Sequence, residues 1–88
     1  MKLKYEFVER LIVDEYVLVP MGEAARIFSG MITTSEVGAY IMNALKTDIS
    51  KGELVALLMR DFEVDEATAS EDLDAFLAQL IKLNVLEV

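Results

Sequence analysis

Neither cysteine nor histidine occurs in these 88 residues, and there is no tryptophan, a single proline and four scattered glycines. The missing Cys and His exclude a thiol nucleophile, a Ser/His/Asp triad, histidine-ligated haem and zinc sites of the Cys/His kind. No disulfide framework speaks for secretion, which leaves a cytoplasmic home as the expectation. Gly22, Gly30, Gly38 and Gly52 stand apart from one another, so neither a phosphate-cradling loop nor a dinucleotide fingerprint is present. Long apolar runs are lacking too. The longest charge-free stretches, Ile27–Ser35 and Val37–Leu45, are nine residues each, too short to span a bilayer. Glu6, Glu9 and Arg10 break up any signal-peptide core near the N-terminus.

What is present is apolar and acidic. Hydrophobic residues make up 55% of the chain, too many for disorder, and the length suits one domain over residues 1–88 built on one core. Eight basic residues face sixteen acidic ones, for a net charge of −8. The segment Asp61–Asp74 carries seven acids and no base. Such a surface repels a phosphate backbone and an anionic membrane, so neither nucleic acid nor membrane is an expected partner. A basic or neutral peptide or protein remains open. The acidic run is read first as a solvated helix start.

The composition changes once, near residue 33, from strand-like to helix-like. Tyr5, Phe7, Leu11 and Val13 alternate on one face, imperfectly at Glu9, and predict a strand. Asp14-Glu15 turns the chain, and Tyr16–Val19, apolar on both faces, predicts a central strand. After a turn at Pro20–Glu23, Ala24–Phe28 predicts a third, short strand ended by Gly30. Short turns make the three an antiparallel meander. Thr33 with Glu36 reads as a capping box, and Ile32 with Val37 as its staple, opening a first helix. Ser50 with Glu53 opens a second in the same way. Asp65 caps a third, whose apolar positions cover an arc of roughly 160°, wider than the ~100° stripe needed for one contact. Asn84 stands where that helix should stop, and an apolar tail, Val85–Val88, is expected to dock on the body. The expected fold is therefore α+β: a three-stranded antiparallel meander followed by three helices, similar in its elements to a winged helix-turn-helix.

Few constellations carry chemistry. Asp61, Glu63 and Asp65 fall at the first, third and fifth places of an EF-hand-like loop, but Glu66 stands where that loop needs Gly. Capping and solubility account for them better. No pocket-tuned acid–base pair or nucleophile motif is visible, so catalysis is not expected, nor is a cofactor. The informative feature is geometric. The third strand leaves an outer edge of unpaired N–H and C=O groups, and the third helix has apolar surface to spare. Together they can form a groove that takes a peptide by strand addition. Equally, the third helix can pack against both the sheet and the other helices and leave no groove. The residues alone leave both open.

The order of elements carries a resemblance. Tyr16-Val17-Leu18-Val19-Pro20 with Gly22–Ala25, Ser35–Ile41 with Leu45, Phe62–Asp65, Asp72–Leu80 and Val85-Leu86 make the chain similar to the PqqD family, named for the D protein of pyrroloquinoline-quinone biosynthesis. Its module recurs as the precursor-peptide recognition element of systems that modify ribosomally made peptides (RiPP systems). The chain departs from the family's pattern at Ser35, Val37 and Met42, often Asn, Thr and Trp, and at Asn84, usually Gly. The first three bear on which peptide is read.

The resemblance implies a non-catalytic protein that binds the leader of a precursor peptide and presents it to a modifying enzyme, often a radical S-adenosylmethionine (radical SAM) enzyme. The leader would pair with the backbone of Ala25, Arg26, Ile27 and Phe28. Phe76, Gln79, Leu80 and Leu83 would contact its side chains, and Asp72 would meet a basic leader residue. The other class of function is a winged-helix-like adaptor or regulator that binds a folded protein partner. A free strand edge also allows a homodimer.

Two outcomes follow from composition alone. Duplex DNA should show no specific binding tighter than about 10⁻⁶ M at physiological salt, and salt-sensitive binding below that value would contradict the charge argument. Thermal unfolding in EDTA and in millimolar Ca²⁺ should share one midpoint; a clear rise with Ca²⁺ would make Asp61, Glu63 and Asp65 ligands.

Overall fold

The computed structural model describes residues 1–87. The chain opens with a two-residue strand, β1 (Lys2–Leu3), and continues into β2 (Glu6–Ile12) and β3 (Glu15–Met21). β2 and β3 pair antiparallel from Glu6↔Met21 to Ile12↔Glu15. Only Val13 and Asp14 separate them, with φ of 46° and 66°. Positive φ at both central residues is the turn whose twist matches a right-twisted hairpin. Asp tolerates that region; a β-branched Val does so only under strain.

A short helical turn, α1 (Ala24–Ile27), follows, then the third strand of the sheet, β4 (Ile32–Thr34). This corrects the strand expected at Ala24–Phe28. The backbone there closes on itself: Phe28 N donates to Ala24 O at 2.9 Å and Arg26 N to Glu23 O at 3.0 Å. Glu23-Ala24-Ala25-Arg26 is a run of good helix formers, and Ala24, 0% exposed, fixes the turn against the core. Phe28 then packs edgewise on Tyr5 and tilted on Phe7, with ring centroids 6.3 and 5.9 Å away. The meander itself stands, in the order β2-β3-β4. Its register, Leu18↔Ile32, Val17↔Thr33 and Tyr16↔Thr34, puts Phe7, Leu18, Ile32 and Thr34 on one face. Pro20 lies past the last β4 pair, where the missing N–H costs no hydrogen bond on that side.

Three longer helices follow, α2 (Glu36–Ala44), α3 (Lys51–Phe62) and α4 (Glu66–Lys82). α2 starts later than expected. Its cap is Ser35, whose hydroxyl accepts from Gly38 N at 3.0 Å, because pairing with β3 holds Thr33 and Thr34 in the sheet. The other helix starts are as the sequence predicts. Ser50 and Glu53 form a reciprocal capping box, and Asp65 accepts from Thr68 N at 2.8 Å. That amide holds the Asp65 carboxyl below its ordinary range. Asn84 adopts φ 59° beyond α4. Val85 and Leu86 are buried, and β5 (Leu86–Glu87) pairs antiparallel with β1. The tail thus docks as expected; its last residue, Val88, lies outside the described residues.

The core forms between the inner face of the sheet and the helices. Phe7 and Leu18 meet Ile41, Met42 and Leu45 of α2 and its end, Leu54 and Leu58 of α3, and Leu73, Leu77 and Leu80 of α4. Glu9, on the apolar side of β2, is tied by Lys46 Nζ to its Oε2 at 2.9 Å, while its buried Oε1 has no hydrogen-bond partner among the described residues. Tyr40 joins α2 to the end of α3: its hydroxyl donates to Asp61, and its ring meets Phe62 edge-on at 5.2 Å. The Arg60 guanidinium, and then the Tyr40 hydroxyl, hold the Asp61 carboxyl at about 2.

The hairpin turn is the most directly testable local feature. Val13 is 89% exposed, so its side chain contributes little packing to set against its backbone strain. Val13→Asn should raise the free energy of unfolding by about 0.5–1 kcal/mol, read as a higher urea midpoint at unchanged slope, and adding Asp14→Gly should raise it further. A lower midpoint would show that Val13 makes a contact worth more than the strain.

Candidate peptide-binding groove

β4 is three residues long and pairs with β3 on one side only; among the described residues no strand pairs with its other edge. Across from that edge runs α4. At about 100° per residue, Asp72, Phe76, Gln79 and Leu83 fall along one line of the helix, with Leu80 beside it. The space between holds two neighbouring cavities, the two parts of a groove, which share Phe76 and Gln79 in their lining. The deep part, about 50 Å³, lies between Ile32–Thr34 and Gln79, Leu80 and Leu83, over a floor that includes Phe7, Leu18 and Met42. The open part, about 310 Å³, lies between Ser35, Val37 and Gly38 and the Asp72–Phe76 turn of α4. The groove answers the question of the over-wide apolar arc. Leu73 and Leu77 are core, while Phe76 and Leu83 are left half-buried and exposed over the groove.

The helix side of the expected site is therefore brought together: Asp72, Phe76, Gln79, Leu80 and Leu83 all line the groove. Leu80 is 3% exposed and forms part of the wall, whereas Leu83 is 46% exposed at the rim. The strand side is corrected. Ala25, Arg26, Ile27 and Phe28 line neither part of the groove, and the helical turn of Ala24–Ile27 cannot offer an extended edge. The third strand, whose outer edge pairs with no other strand among the described residues, is Ile32–Thr34. Three successive β-branched residues after Gly30 are a strand signal, hidden because two of them also fit a capping box and its staple.

Gly38 sets the width of the open part. A Cβ there would lie 2.9 Å from Phe76 Cε1 and closer still to Thr34 Oγ1. Only hydrogen lets the first turn of α2 approach both walls. Electrostatically the groove is one-sided. Asp72 makes no ion pair or hydrogen bond among the described residues, and no Lys or Arg lines either part. Elsewhere, the acids of the EF-hand-like run have other work. Asp61 accepts from Tyr40 and Arg60, and Asp65 caps α4. Among the described residues no group of three or more acids is placed to hold a metal ion, and no helix is long and apolar enough to cross a membrane.

Two comparisons with known proteins give a match. A family model described as Coenzyme PQQ synthesis protein D (PqqD) matches residues 15–86. Among solved structures, the chain is similar to TbiB1 in complex with the TbiA(beta) leader peptide, with a TM-score of 0.70 and 28% identity over 99% of this chain and 95% of that one. No curated protein sequence matches it.

Gly38→Ala tests the groove's construction. Alanine gains about 1 kcal/mol of helix propensity, but its methyl displaces Phe76 and Thr34 in a packed site, at a cost of about 1–3 kcal/mol. The variant should be the less stable protein by thermal unfolding. A stability gain of the full propensity difference would mean that the Phe76 ring moves freely.

Proposed function

This chain belongs to the coenzyme PQQ synthesis protein D family, and from that premise we propose that it is a non-catalytic recognition protein for the leader of a ribosomally made precursor peptide. The leader adds as a strand, antiparallel to β4, and lies in the groove beneath Phe76, Gln79 and Leu83. The observation that carries this reading is the coincidence of a free strand edge and an unfilled apolar helix margin on either side of one groove. A fold shared with a leader-peptide complex supports it. Main-chain bonds to β4 hold the peptide, and the α4 side chains choose it. The chain presents the bound peptide to a modifying enzyme, for which the family's pattern suggests a radical SAM enzyme, in the cytoplasm. A second copy of the chain is the competing occupant of the β4 edge. Sedimentation with and without peptide distinguishes the two.

Backbone amide shifts on titration with the leader of a cognate precursor peptide are the primary test. They should move at Ile32–Thr34 and along Phe76–Leu83. Shifts confined to β2 or to α3 would overturn the reading. Leu83→Asp puts a charge against an apolar peptide side chain from an exposed rim position, and should weaken binding by about 2 kcal/mol, roughly thirtyfold. Leu80→Asp is a poor test because Leu80 is core. Circular dichroism of Leu83→Asp should match the parent.

A further inference from the structure

Resting on the leader-groove reading, we infer that the groove reads two points of its peptide: a basic side chain and, four residues nearer the peptide's C-terminus, a large apolar one. The two ends of the groove differ in chemistry. The open end has the unpaired Asp72 carboxylate beside Ser35, and the deep end has Leu80, Leu83, Ile32 and Met42. Lys and Arg line neither end, in a chain of net charge −8, so a basic peptide residue at the open end meets attraction without competition.

Direction follows from topology. β4 runs from Ile32 at the deep end to Thr34, and Ser35 and Gly38 continue into the open end. A strand antiparallel to β4 runs the other way. It enters beside Asp72 and leaves beside Leu83, so the basic residue comes first.

Spacing follows from helix and strand rise. Asp72 and Leu80 are eight residues apart on α4, about 12 Å along its axis. Four residues of extended peptide cover about 13 Å. An even offset also keeps both side chains on the face turned to α4. An offset of two falls short at about 7 Å, and six overshoots at about 20 Å. Because β4 offers only three residues, main-chain pairing is brief, and these two side chains carry the selection. If Asp72 is merely a solvated surface acid, the deep pocket alone selects, and no charge preference appears.

The probe is a displayed library of random peptides of about a dozen residues, selected against the full chain and against Asp72→Lys. With the parent, Lys or Arg should be enriched four positions before Leu, Ile, Met or Phe. With Asp72→Lys, the first position should turn to Asp or Glu while the apolar position stays. In a synthetic winner, replacing the basic residue by Glu should weaken binding by about five- to tenfold to the parent and restore it to the variant, more strongly at low salt. Peptides whose amide-shift footprint falls on β4 and α4, but with no charge preference or with the basic residue after the apolar one, overturn the two-point code and leave leader binding standing. A library yielding no peptide that perturbs β4 and α4 overturns both.

Discussion

Leu73, Leu77 and Leu80 enter the core from one helix, and the remaining elements take their places around that burial. With neither Cys nor His in the sequence, neither a disulfide nor a Cys/His zinc site is there to close it. Each fully buried Leu contributes about 1.5–3 kcal/mol, so three on α4 are comparable to the whole net stability of a small domain. Anchoring α4 through these residues fixes its rotation. That rotation then turns Asp72, Phe76, Gln79 and Leu83 toward β4. The groove is thus a by-product of core packing: the helix margin left over once the core is full.

The sequence made one line of the helix legible, but not that this margin faces the sheet edge, and it left the strand side unread. Helical spacing puts Asp72, Phe76, Gln79 and Leu83 on one line whatever else the fold does, and the caps at Ser50 and Asp65 depend on residues three positions away. The hairpin was readable for the same reason, since two residues between alternating runs fix a register. The third strand was not. Ala24–Phe28 is a short, mostly apolar run that suits a helical turn as well as a strand, and Ile32-Thr33-Thr34 suits a strand as well as a helix cap. Each ambiguity is settled at long range. Ala24 is held in the core as part of a turn, and Thr33 and Thr34 are taken up by Val17 and Tyr16 on β3. Local preference could not decide between partners that lie more than a dozen residues away.

Glu9 shows the same division. Its place on the apolar side of β2 marks it as an exception, but its partner, Lys46, sits at the far end of α2 and had no signal in the sequence. The acidic run is more transparent. Asp65 caps α4, and Asp61 is held by Arg60 and Tyr40. Lys51 Nζ also reaches Asp74 at 2.6 Å, so capping and ion pairing occupy three of its acids, while Asp72 remains unpaired beside the groove among the described residues.

The brevity of β4 bears on time as well as on affinity. A three-residue edge offers a peptide few main-chain bonds, and most of the groove is open rather than enclosed. Such a site favours modest affinity over capture. With association on the order of 10⁶ M⁻¹s⁻¹, a micromolar complex persists for about a second. A carrier that must yield its cargo to a second protein works on that scale. On the function proposed above, a longer edge strand would hold the peptide more tightly and release it more slowly, so the shortness of β4 would set the pace of release.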